Sequence, residues 1–144
     1  MNRLMSMFLL AIAGLIFATP AGAVTAVSEQ TYVINSGQYA GHLIWVDRIE
    51  RSNDGREIVH IAVDGKFEVN VPGHGKFYLT VIGHSPVDRE AFENSDLSLS
   101  NTEWNSSASV AEGYETWKDD EGGVWTLTVS DVIAATILAI ENGL

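Results

Sequence analysis

The sequence predicts an α+β domain: an antiparallel β-meander of about five strands packed by a buried C-terminal helix, with one or two short helices before it. Three observations carry this. Short runs rich in Val, Ile and aromatic residues fill the first half and are punctuated by turn dipeptides. A nearly uncharged segment with helical periodicity closes the chain, its only charges being Asp131 and Glu141 at its two ends. No internal repeat and no linker-like stretch divides the chain.

Residues 1–23 stand apart from that domain. Arg3 gives a positive start, Leu4–Ala18 carries no charge, and Ala21-Gly22-Ala23 supplies the small-x-small pattern of a signal-peptidase site. The apolar run is short for a bilayer, which takes about 20 residues. We expect a cleaved secretory signal peptide over 1–23, a single domain over 24–144, and an exported protein, periplasmic or secreted, with no membrane contact after cleavage. A chain of this size buries roughly two-thirds of its unfolded surface. It has no cysteine, so its folding is independent of oxidation. The 19 acidic residues outnumber the 8 basic ones. That argues against nucleic acid, whose binding depends on neutralising phosphates, and against an anionic membrane surface. It permits a basic protein partner, although solubility alone accounts for it.

Tyr32–Asn35, Leu43–Arg51, Glu57–Val63, Phe67–Val71 and Phe77–Gly83 read as strands, turned at Asn53-Asp54-Gly55, Asp64-Gly65 and Pro72-Gly73. At the second turn a three-residue loop, Val63-Asp64-Gly65 with Gly65 left-handed, joins the stronger apolar sets. Ile61 then faces Phe67, and Val59 faces Val69. The same logic pairs Ile49 with Val59 and Trp45 with Val63. The expected core face is Leu43, Trp45, Ile49, Val59, Ile61, Val63, Phe67, Val69 and Val71. The other face carries an Arg48–His60–Glu68 row, an ordinary cross-strand arrangement of charges. Asp47 falls on the apolar face, where a carboxylate is expected to have a raised pKa or a dedicated partner.

Asp88 caps a short turn through Asn94. Residues 95–109 are mostly Ser, Thr and Asn and read as a loop, with a weak edge strand at Leu97–Leu99 and a glycosylation sequon at Asn105-Ser106-Ser107. Ser109 and Glu112 form a capping box that opens a helix over Val110–Lys118. Its Val110, Tyr114 and Trp117 share one face. Gly122-Gly123 ends it, and Val124–Thr128 reads as a strand. Ser130 caps the last helix, which runs through Asn142 with Asp131 in its first turn. Gly143 and Leu144 suit a left-handed ending with a hydrophobic contact. Val132, Ile133, Thr136, Ile137 and Ile140 make the stripe that lies on the sheet, and a helix this apolar is expected to be largely buried.

The stretch VNVPGHGKFYLTVIGHSP, 69–86, holds two glycine-preceded histidines. Pro72-Gly73 suits a type II turn, which puts His74 at a tip. His84 follows the strand, about 33 Å of extended chain away, so the two cannot share a metal ion. His42 and His84 fall at the same end of an up-down meander, but on strands about 14 Å apart. No tight spacing supplies further zinc ligands. Gly73-His74-Gly75-Lys76 fails the phosphate-loop pattern at Asn70 and Phe77. No Gly-x-Ser-x-Gly elbow occurs. No catalytic residue, metal ligand or cofactor is assigned. The densest aromatic and acidic stretch is 112–125, and Trp104, Asp119, Asp120, Glu121 and Trp125 are the candidate surface for a basic partner. The leading expectation is a non-enzymatic binding or inhibitory module acting on another protein. The alternative is a small hydrolase or metal-dependent enzyme using His42, His84 or Asp47.

Overall fold

Alternating apolar residues between turn signals produce five antiparallel strands: β1 Gln30–Ile34, β2 Leu43–Arg51, β3 Glu57–Val71, β4 Gly75–Asp88 and β5 Leu97–Ser100. The computed structural model describes residues 23–104 and 110–143. The expected signal sequence up to residue 22, the sequon, Ser109 of the capping box and Leu144 lie outside the described residues. The strands form one sheet in the order β4-β3-β2-β1-β5, a four-strand meander with β5 returning beside β1. Three helices complete the fold: α1 Arg89–Glu93, α2 Val110–Asp119 and α3 Val129–Glu141. The expected α+β architecture is therefore the observed one, with the C-terminal helix packed against the sheet.

Residues 58–63 of β3 are buried without a break. Side chains on a strand alternate between faces, so an unbroken buried run means that both faces are covered. Val59, Ile61 and Val63 join Ile44, Val46, Phe67, Val132 and Ile133 in the main core, on the α3 side. His60 points the other way and meets Tyr114 and Trp117 of α2.

Two bulges revise the expected register. The first is at Asp47: Val46 opposes Ile61 and Arg48 opposes His60, so β2 holds one extra residue. Beyond it the faces exchange. Ile44 and Val46 enter the core in place of the expected Leu43 and Trp45, and Trp45 opposes Ala62 rather than Val63. Ile49 opposes Val59, as expected. Asp47 escapes the apolar face and pairs with Arg48 at 2.8 Å.

The second revision is larger. Glu57–Val63 and Phe67–Val71 are one continuous strand, because Asp64-Gly65 bulges rather than turns. Asp64 opposes Val81 and Phe67 opposes Leu79, which leaves one extra residue on β3. Gly65 has φ +147°, and a Cβ there would sit 1.7 Å from His42 Nδ1. A strand glycine marks such a close approach. Glu68 consequently opposes Tyr78, not His60, whereas Arg48 does oppose His60. The expected row keeps its first pair and loses its last member.

The Pro72-Gly73 turn forms as expected, with the His74 N–H donating to the Val71 carbonyl at 2.9 Å. From there β4 runs unbroken to Asp88, which places His84 inside the strand instead of after it. Asp88 caps α1, accepting from the Glu90 and Ala91 amides, and Asn94 closes it. The expected strand at Val124–Thr128 is reduced to one parallel bridge between Val87 and Trp125. Thr128, not Ser130, caps α3, its hydroxyl accepting from the Asp131 amide. Val129, Val132 and Ile133 are buried, but the distal half of α3 is not: Leu138 is 58 % exposed. There Ile137 still packs against the core, and Glu141 reaches the Asn70 amide of β3.

Candidate functional site

Two features stand out: a histidine pair beneath α2, one ring buried and one half-buried, and the outer edge of β4. The pair owes its position to a third bulge. Ile61 opposes Ser85 and Val63 opposes Ile82, so β4 carries one extra residue at Gly83–His84. This sets His84 beside His60. Their rings lie 5.2 Å apart and nearly parallel, with His60 Nδ1 2.9 Å from His84 Nε2. One nitrogen donates and the other accepts, which requires that at least one of the two rings be neutral.

His60 is fully buried. Tyr114 and Trp117 abut its ring edge-on at 4.9 and 4.8 Å. Its Nε2 has no aligned hydrogen-bond partner. Glu50 Oε1 lies 3.3 Å away, close enough to attract a protonated ring. The other Glu50 oxygen accepts from the Tyr114 hydroxyl at 2.7 Å, and the Arg48 guanidinium sits 3.9 Å above the Tyr114 ring. Burial pushes His60 below the usual imidazole range, with Glu50 opposing. Burial, followed by the neighbouring His60, pushes His84 down to about 4. The hydrogen bond to the Glu50 carboxylate, with burial second, raises the Tyr114 phenol. At neutral pH this is a pair of neutral imidazoles, one of them reaching a shallow hollow lined by Gly83, Glu112, Gly113, Thr116 and Trp117. α2 comes this close because residue 113 is glycine: a Cβ there would lie 2.5 Å from the His84 Cβ.

The residues singled out from sequence are dispersed. His42 stacks on Phe67 at 4.4 Å, beside Tyr39, with Nδ1 3.1 Å from the Asp64 carbonyl oxygen. Phe67 belongs to the α3-side core, so His42 and His84 are not brought together. Asp47 does lie near the His60–His84 pair, engaged with Arg48. Trp104 stacks on Trp45 at 6.3 Å. Trp125 packs against the main core, and its backbone ties to Pro86 and Asp88. Asp119, Asp120 and Glu121 are exposed at the end of α2. Among the described residues no three His, Asp or Glu side chains converge as a metal cage requires. Sequence reading missed His60 as a buried group by assigning its strand face to solvent. The available signal was Gly113 in mid-helix, where glycine is unfavourable unless something must approach closely.

The second feature is β4, a fourteen-residue edge strand. One side pairs with β3. On the other side, among the described residues, only Pro86–Asp88 is covered, by the Trp125 backbone. Phe77–Gly83, FYLTVIG, has no charge and no proline. Phe77 and Tyr78 are 41 % and 53 % exposed. The β3 side of the same ribbon is guarded, since Glu141 of α3 accepts from the Asn70 amide at 2.9 Å.

Fold and sites together define a layered α+β protein, helix on either face of a sheet that is open along one long edge. The chain matches no family model, no curated protein and no solved structure.

Proposed function

We propose that this chain is an exported, non-enzymatic module that binds another protein by taking an extended segment onto the free edge of β4. The observation that carries the reading is that edge. Natural sheets shield long edges with charges, prolines, bulges or covering segments, because unpaired backbone invites another strand. Here six uncharged residues, Phe77–Ile82, lie on the unshielded side ahead of the Gly83–His84 bulge, a pattern that pairs readily with further chains. Strand addition to such an edge is a general mode of peptide recognition, with main-chain hydrogen bonds supplying affinity and alternate side chains supplying selectivity. Tyr78 and Phe77 point to opposite faces and offer one aromatic contact on each. Export is supported by the Arg3, apolar and Ala21-Gly22-Ala23 pattern, and by Val24 packing against the core. N-terminal sequencing of protein from the envelope or medium should give a start near Val24. Full-length protein held in a membrane contradicts export.

A photoreactive residue placed at Tyr78 tests the binding edge in the native compartment. The proposal expects a covalent adduct with a second protein at position 78 and none at Glu115 on the outer face of α2. Substituting Thr80→Lys in the same chain should abolish the adduct without lowering stability by more than about 0.5 kcal/mol. Adducts from Glu115 or Asp120 alone would instead place the partner on the acidic surface of α2, and the edge reading fails.

A further inference from the structure

We propose that α2 is an acid-released cover, held shut over the inner sheet face by the neutral His60–His84 contact and freed when both imidazoles are protonated. The geometry carries this. The two ring nitrogens face each other at 2.9 Å. With no added proton, one ring donates to the other. With one added proton the contact survives as a charge-assisted hydrogen bond. With two, both nitrogens carry hydrogens, no acceptor remains, and two cations meet with one ring, His60, fully buried. The contact must then open.

α2 is the element free to yield. Only Val110 and Tyr114 of its ten residues are buried, with Trp117 half-covered. Tyr114 and Trp117 rest on His60 itself, so separation of the imidazoles removes the surface on which they sit. Elements with few buried contacts open at low free-energy cost. The other strand of the pair is fixed: β3 is buried between β2 and β4.

The charged and titratable groups around the pair decide the sign. From β2, Glu50 and Asp47 favour a proton on the rings and Arg48 opposes it. From β4 the only such group is His84. From α2, the Tyr114 hydroxyl occupies one Glu50 oxygen, Glu112 lines the hollow beside His84, and Lys118 lies 5.8 Å from the Tyr114 ring. The carboxylates therefore assist the first proton, while burial and ring–ring repulsion resist the second. In the opened state both rings recover ordinary solvation, so each proton binds more tightly there, and acid shifts the population toward opening. His84 lies below its ordinary value in the closed state, which sets the responsive window below neutrality.

Amide exchange of the mature chain, corrected for the intrinsic pH dependence of exchange, tests this. Between pH 6.5 and 4.5 the amides of Tyr114–Lys118 should lose at least about tenfold protection, the factor that follows from one unit of relieved pKa depression. Those of Val59–Val63 and Val132–Ile137 should keep theirs. His84→Gln preserves a hydrogen bond to His60 but cannot carry the second charge, so α2 should stay protected at pH 4.5. His60→Gln should behave alike. The proposal is overturned if α2 stays shut in the wild type, if α2 opens equally in both glutamine variants, or if α2 and α3 lose protection together in one global step.

Discussion

At Gly65 and Gly113 a hydrogen stands where a methyl group would collide with a histidine side chain. The two sites predict different balances. Gly65→Ala meets both a positive φ and the His42 ring, so we expect a loss of more than about 1 kcal/mol by urea denaturation. Gly113→Ala gains roughly 1 kcal/mol of helix propensity but meets the His84 Cβ. We expect net destabilisation, and a more stable variant contradicts the close approach of α2 to β4. The histidines also fix a pH dependence. Both have folded-state values below their unfolded value of about 6.5, so the unfolded chain binds more protons. Their contribution is complete above that value and declines as pH falls toward about 4. The wild-type urea midpoint should therefore fall more steeply than that of His84→Gln across this window. A steeper fall in the variant contradicts the sign. Little of the site was legible at this scale. One bulge residue, Asp47, exchanges the two faces of β2, and His60, on the face opposite Val59 and Ile61, is buried by α2, a covering that alternation along the strand does not reveal.

Element by element, more was legible. The Asp88 cap, the Leu97–Leu99 edge strand and the Val110–Lys118 helix lie where capping and periodicity placed them, and the apolar C-terminal helix lies where its periodicity placed it, capped by Thr128 in place of the expected Ser130. Those signals are local, and the structure keeps them. The length of β3 was not legible, because Asp-Gly serves a hairpin turn and a bulge equally well: both want a glycine with positive φ. What decides between them is whether the following strand folds back or runs on to a partner, and that is tertiary. Helix α3 makes the same point for burial. Its composition implies full coverage, yet only Val129, Val132 and Ile133, in its first half, are buried. Ile133→Ala, at a fully buried position, should cost about 2–5 kcal/mol. Leu138→Ala should cost less than about 0.5 kcal/mol, as at other exposed sites. Equal losses at the two positions, measured by chemical denaturation, contradict the observed packing.

Across the whole molecule, both faces of the sheet carry a helix over β3 and β4, and one long edge is open. α3 and α2 pack on β3 and β4, Glu141 guards the outer edge of β3, and β5 ends the sheet after four residues. Among the described residues only β4 keeps a long unshielded run. The contrast is sharper because the chain has a net charge of −11 while Phe77–Gly83 has none. Repulsion between like-charged molecules is spread over the surface and is weakest where a strand can dock. This edge was present in the sequence as the FYLTVIG run, but its exposure depends on sheet order, which the run itself does not encode.

The most direct measurement is residue-resolved amide exchange along Phe77–Val81, first in the free mature chain and then in the complex captured through position 78. In the free chain, amides facing β3 should be protected, and the alternate ones facing outward should exchange as solvent-exposed groups. In the complex the outward amides should become protected as well, because an added strand accepts from them. Outward amides already protected in the free chain, or left unchanged in the complex, would contradict strand addition at this edge.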